Sequence, residues 1–152
     1  MRVISRGVTP YAAKQNFIPF FLFFMNELEN RMAAAETRIF KMVFSNTTNN
    51  YGTLFGGNAM QLMDEVAFIA ATRFSRKKMV TVSSSQIDFK KPIPENTIIE
   101  LIASVLRVGR TSLDIQVHIY KEEMYENRRE QAISGCFTFV ALDENKRPTS
   151  VL

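Results

Sequence analysis

Tryptophan is absent from this 152-residue chain, and cysteine and histidine occur once each, as Cys136 and His118. A lone cysteine cannot close an intramolecular disulfide, and nothing else in the sequence points to an oxidising compartment. One cysteine and one histidine also fall short of the clustered ligands that a zinc site needs, so no metal is expected. A histidine-dependent hydrolytic triad would have only His118 to use, and no nucleophile-elbow pattern accompanies it. His118 alternates with Asp114 and Gln116 on the polar face of an expected strand. A structural or surface histidine is the better reading. The apolar run over residues 17–25 is far shorter than the roughly 20 residues that cross a bilayer. Internal repeats, low-complexity tracts and linkers are lacking too.

The residues that are present are those of one ordinary globular domain, 46% hydrophobic and 22% charged. Thirteen Phe and eight Met make a core, and they could equally line a channel for a flexible acyl chain. Composition alone favours the core. A net charge of +4 suits an anionic ligand. It is not the dense basic stripe of a nucleic-acid binder, and no nucleic-acid partner is expected.

Arg2, Arg6 and Lys14 precede the apolar run, much as a basic region precedes the apolar region of a secretory signal. Pro19 interrupts that run, however, and Glu27 and Glu29 stand where a small-residue cleavage site would be. Residues 1–34 are therefore read as a peripheral extension and residues 35–152 as the working domain. A cytoplasmic location is expected.

Alternation of apolar residues with period two predicts a strand over residues 37–44, followed by loop chemistry from Ser45 through Gly52 to Gly57. Residues 58–75 carry Met60, Met63, Ala67, Ala70 and Phe74 at helical spacing, with Leu62, Val66 and Ile69 as a second stripe. A helix apolar on two sides is one surrounded by other structure. Four β-rich runs follow, over residues 79–89, 97–108, 111–121 and 131–142, separated by turn signals. A strand, one long buried helix and four consecutive strands predict an α+β fold with an antiparallel sheet on the helix.

Gly56 and Gly57 stand at the start of that helix, where unpaired amides and the positive end of the dipole attract negative charge. They suit an oxyanion hole, although taken by themselves they are better read as a glycine-rich turn feeding a helix. Asp64 lies about two turns in, among Met60, Met63, Ala67 and Phe68. With Gln61 and Glu65 it can also be read as part of a plain solvent face, and on pattern alone that reading is the stronger.

The run from Asn49 through Gly52, Phe55, Gly56 and Gly57 to Met63 and Asp64 resembles the signature of hot-dog acyl-CoA thioesterases, of the bacterial short-chain and brain acyl-CoA hydrolase type. Three further stretches match in order: Val80-Thr-Val82 through Asp88-Phe89 to Pro92, then Gly109-Arg-Thr-Ser112, then Phe137 to Asp143. The resemblance implies a hot-dog fold, an antiparallel sheet wrapped around one long central helix. It implies hydrolysis of an acyl-CoA, with coenzyme A as part of the substrate and no separate cofactor. Asp64 would be general base or nucleophile, Asn49 of a partner subunit would orient water or substrate, and the Gly57 amide would polarise the carbonyl. A homodimer is the implied minimum, assembled as a hexamer of three dimers. A non-catalytic acyl-CoA-binding module of the same fold is the alternative. A hot-dog dehydratase would need a histidine where this chain has Asn49 and Asp64. Phe55, Thr111 and Ser112 belong to the expected substrate contacts. CoA phosphates require Arg or Lys. Arg110 is the first choice, then Lys90 and Lys91, with Arg107 and the cluster over residues 76–78 behind them. Two departures from the family stand out: Pro94-Glu95-Asn96 replaces a glycine-containing turn, and Cys136 stands where an aromatic is common.

Overall fold

A computed structural model describes residues 17–152, and its contacts group the chain into two units that part between Arg31 and Met32. Helix α1 (Phe17–Ala35) accounts for the described part of the first unit. Pro19 falls in its first turn, where an amide hydrogen would have no intrahelical acceptor, so the proline is compatible with the helix. No helix among the described residues is long and apolar enough to cross a membrane.

The second unit contains β1 (Thr37–Met42), a 3-10 turn (Ser45–Thr47), helix α2 (Gly56–Ser75), β2 (Lys78–Ser84), β3 (Asp88–Phe89), β4 (Ile98–Val108), β5 (Ser112–Glu122) and β6 (Arg129–Leu142). The strands form one sheet in the order β1-β4-β5-β6-β2, with β3 also on β6. Every pairing is antiparallel. Period two explains which face is buried: Leu113, Ile115, Val117 and Ile119 of β5 are fully enclosed, and Asp114, Gln116, His118 and Tyr120 alternate with them on the outer face.

Helix α2 turns Ala59, Met63, Val66, Ala67, Ala70, Ala71 and Phe74 inward. Its run of alanines lets the backbone sit close to the strands. The five long strands β1, β2, β4, β5 and β6 all contact this one helix. That is the hot-dog arrangement, with the sheet wrapped around the helix. Phe74, Phe139 and Met63 are fully buried between the two layers, each stabilising the fold by about 1.5–3 kcal/mol. Close approach also depends on Gly135 of β6. A methyl group there would lie 2.9 Å from Ile87 Cγ1 and 3.1 Å from Met63 Cε.

Three local findings refine the sequence reading. The single strand expected over residues 79–89 is two, β2 and β3, separated at residues 85–87 and both paired with β6. The polar run of serines gives up the ladder there, and Ser85 N donates to Cys136 O. The central helix starts at Gly56 rather than near residue 58, because the low helix propensity of glycine hides the first turn from a pattern search. In the unusual turn before β4, Asn96 takes φ +60°, the left-handed conformation that a glycine would supply and that asparagine tolerates.

The end of α2 is anchored by side chains. The Arg73 guanidinium donates to the carbonyls of Ala34 and Glu36, both at 2.7 Å, and to Thr37 Oγ1 at 2.9 Å. On the outer face, Glu100 is 4% exposed beneath Arg38, which donates to it at 3.2 Å, and Arg129, which also donates to it. Arg129 lies over the Tyr120 ring, 3.7 Å from its centroid.

Candidate active site

The expected site residues fall into two groups on opposite parts of α2. The first is the loop before the helix and the helix N-terminus. Asn49 Oδ1 accepts hydrogen bonds from Tyr51 N at 2.9 Å, Thr53 N at 3.2 Å and Thr53 Oγ1 at 3.1 Å. Two of these donors are backbone amides, which assigns the carboxamide oxygen to that side. Asn49 Nδ2 has no protein partner among the described residues, so this side chain is held to donate outward. Thr47 O accepts from both Phe55 N and Asn58 Nδ2 at 3.0 Å, pinning the loop to the start of α2.

Phe55 is the N-cap, extended at φ −64° and ψ 132°, and gives no side-chain cap. The amides of Gly56, Gly57 and Asn58 therefore open the helix without a capping acceptor, and no acidic residue stands in the first turn. A Cβ added at Gly57 would meet the Phe55 ring at 2.9 Å, and one at Gly56 the Phe89 ring at 3.6 Å. A carbonyl oxygen can approach these donors closely. Asn49, Gly56, Phe89 and Lys91 line one cavity of about 320 Å3.

The second group surrounds Asp64. Thr81 of β2 donates its hydroxyl to Asp64 Oδ1 at 2.9 Å. Both line an open cleft of about 400 Å3 with Met60, Gln61, Ser84 and Phe137. Thr81 points at the helix because period two carries the inward direction on from buried Met79. Val80 and Val82 are consequently exposed on edge strand β2, as are Met60 and Phe68 on the helix. Sequence reasoning quoted Thr81 within a matching stretch without giving it a role. The signal available was a hydroxyl at an inward position of an otherwise β-branched strand.

Within one chain the two groups do not converge. Seven residues separate Gly57 from Asp64, a rise of about 10 Å along the helix. Asn49 and Asp64 line different cavities.

The basic candidates also separate. Arg110 is exposed in the β4–β5 turn with no ion pair among the described residues, and its carbonyl accepts Val151 N at 3.0 Å. Ser112 stands opposite Val140, which stands opposite Val80, so this turn lies two strand spacings, about 10 Å, from the Thr81 region. Thr111 belongs to the same turn and accepts Ala141 N through its carbonyl. Lys91 is already neutralised by Glu130, whose carboxyl this ion pair holds below its ordinary pKa. Lys90 is exposed and has no ion pair among the described residues. Arg107 is taken by Asp114 at 2.6 Å, and that guanidinium holds the Asp114 carboxyl below the usual range. Lys78 pairs with Glu144 at 2.7 Å, and Lys77 Nζ donates to the carbonyls of Ser150 and Leu152.

His118 lies on the outer face, away from both groups, with its pKa lowered by burial and by Lys90. Burial, followed by Asp114, pushes the Cys136 thiol up, which keeps it protonated and unreactive. No group of three or more His, Cys, Asp or Glu among the described residues could hold a metal ion.

Residues 51–127 match the model of the thioesterase superfamily. An acyl-CoA thioester hydrolase of Bacillus subtilis is 41% identical over 109 residues, covering 72% of this chain and 63% of its own, so the chain spans under two thirds of that relative's length. An acyl-CoA hydrolase of Staphylococcus aureus, solved with butyryl-coenzyme A, coenzyme A and coenzyme A disulfide, superposes with a TM-score of 0.76. The two are 33% identical, over 78% of this chain and 73% of that one. The staphylococcal enzyme has also been solved as alanine variants at an asparagine, an aspartate 15 positions later and a threonine 17 positions after that. Asn49, Asp64 and Thr81 stand at the same two separations. A hexameric broad-specificity acyl-coenzyme A thioesterase superposes with a TM-score of 0.71 at 28% identity, over 75% of this chain and 84% of that one.

Proposed function

The chain belongs to the thioesterase superfamily, and from that premise we propose that it hydrolyses acyl-CoA to the free acid and CoA, in a site that two protomers build together. The observation that carries this reading is the division of α2 into two half-sites about 10 Å apart. One is an uncapped double-glycine N-terminus beside Asn49, and the other is a threonine-held carboxylate. Neither half can act alone on one carbonyl. Brought together across a two-fold axis, the Gly57 amide of one protomer faces Asp64 of the other.

In that arrangement the Gly57 N–H and the helix dipole polarise the thioester oxygen. The Asn49 amino group donates to the attacking water or the substrate. Asp64 serves as general base or as nucleophile. As base it takes a proton from water while the water oxygen bonds to the carbonyl carbon. The carbon–sulfur bond then breaks, and the thiolate leaves and regains a proton. Thr81 holds the carboxylate in place for either role. Arg110, free of ion pairs, is the first candidate for the CoA phosphates, with Lys90 next, Thr111 and Ser112 beside the ligand and Phe55 over the acyl end. Lys91 drops in rank because Glu130 occupies it.

Exposed Met60 and Phe68 on the helix, with Val80 and Val82 on the neighbouring edge strand, support burial of this face against a second copy. A hexamer of three dimers, without any separate cofactor and in the cytoplasm, completes the reading; likeness to a hexameric thioesterase supports the assembly. The test is release of free thiol from a panel of acyl-CoA esters. Turnover that falls at least about a hundredfold in Asp64→Asn is expected. Binding of the ester by the folded protein without thiol release would make it a binding module.

A further inference from the structure

A third cavity, of about 300 Å3, adjoins the Asp64 cleft between the first turns of α2 and strands β1 and β4. Its floor is apolar and enclosed, formed by Val43, Leu54 and Ile99, all buried, with Leu62 on the wall. Its rim is polar: Lys41 and Gln61 are exposed, and Asn58 is half-buried. Lys41 stands opposite Ile99 in the β1–β4 register, so the two face the helix side of the sheet together. No carboxylate lines the cavity. An apolar floor beneath a rim of amides and one cation suits a hydrocarbon entering tail first, with its polar end left at the mouth.

The position of the mouth supports that direction. Asn58 follows Gly57, and Leu62 lies one turn deeper on the same face, about 6 Å along the helix. A chain whose carbonyl rests on the Gly57 amide passes along this face into the cavity. Gln61 lines both this cavity and the Asp64 cleft, and its carboxamide has no hydrogen-bond partner among the described residues. The two spaces thus share one flexible side chain.

We infer that this cavity receives the acyl tail and that Leu62, with Gln61 at the mouth, sets the chain length accepted; the inference rests on the hydrolase reading above. The experiment compares kcat/KM for decanoyl-CoA and butyryl-CoA in the full chain, Leu62→Phe and Leu62→Ala. Filling the cavity with phenylalanine is expected to lower the decanoyl-to-butyryl ratio at least about tenfold, and alanine to move it the other way. A ratio unchanged in both variants, with thiol release intact in the parent, overturns the cavity assignment and leaves the hydrolase reading standing. Should Leu62→Phe fail to fold, Gln61→Trp at the exposed rim gives the same readout. If the parent hydrolyses no ester, calorimetric binding of decanoate and butyrate decides the cavity by itself. Selective loss of decanoate in Leu62→Phe supports it, and equal affinity in parent and variant overturns it.

Discussion

Thr81 reaches from an edge strand to Asp64 on the central helix, and the 2.9 Å hydrogen bond between them fixes where the carboxylate points. Hydrogen bonds to charged groups contribute about 1.5–3 kcal/mol. Thr81→Val is therefore expected to lower kcat/KM roughly tenfold to a hundredfold, with Thr81→Ser restoring most of it. Circular dichroism should show the fold intact in both. Full activity in the valine variant would remove Thr81 from the site.

The proposed joining of two half-sites from separate protomers makes a complementation test possible. Asn49→Ala and Asp64→Ala should each be inactive alone. After subunit exchange, half of the dimers are mixed and each has one intact site, so about a quarter of parental activity returns. An equimolar mixture that stays inactive, although exchange is seen by mass spectrometry, would place both residues in a site within one chain.

The central helix was legible because Met63, Ala67, Ala70 and Phe74 keep one face apolar while Leu62, Val66 and Ile69 keep a second. The strands were legible by alternation, except where the serines after Val82 hid the break between β2 and β3. Asn49, Gly57 and Asp64 were nameable only through family resemblance, since a glycine turn and a helical carboxylate each have an ordinary structural explanation. Their division into half-sites needed the loop and sheet in place. The contacts that decide which charges are free, such as Lys91 with Glu130, join residues 39 apart and leave no local pattern.

Burial holds the His118 pKa below that of a free histidine, and its Nδ1 is enclosed with no partner. The unfolded chain takes up a proton near pH 6.5, where the folded protein does not. Stability linked to the neutral ring is thus present above that pH and is lost as pH falls through the lower folded value. Urea midpoints should decline from pH 7 to 5.5 in the parent and decline less in His118→Gln. As the only histidine, it accounts for this window. Equal slopes would show that the ring is accessible to protons in the fold.

Glu100 is buried while its partners Arg38 and Arg129 reach solvent. Removing the carboxylate leaves two solvated cations, whereas removing both arginines strands a buried anion. The double variant Arg38→Ala/Arg129→Ala should cost about 3 kcal/mol or more, and Glu100→Gln distinctly less. Urea unfolding measures both, and the reverse ranking would mean that the carboxylate gains water once uncovered.

The second unit starts at Met32, and the contacts of Arg73 with Ala34 and Glu36 lie inside it. A chain beginning at Met32 should melt within about 4 °C of the full chain and keep its acyl-length profile in the thiol-release assay. Insolubility or a marked change in chain preference would make residues 1–31 a working part of the protein.

Gly135 lies under Met63, and Met63 is the neighbour of Asp64. One methyl group on the floor strand would therefore occupy the room in which the Met63 side chain beds against the sheet. Alanine at that position would push the Met63 methyl or the Ile87 side chain aside by a few tenths of an ångström, beneath the turn of helix that carries Asp64. The helix turn that carries Asp64 thus beds on room that the chain leaves empty on the far side, a foundation made of packing rather than of polar contacts.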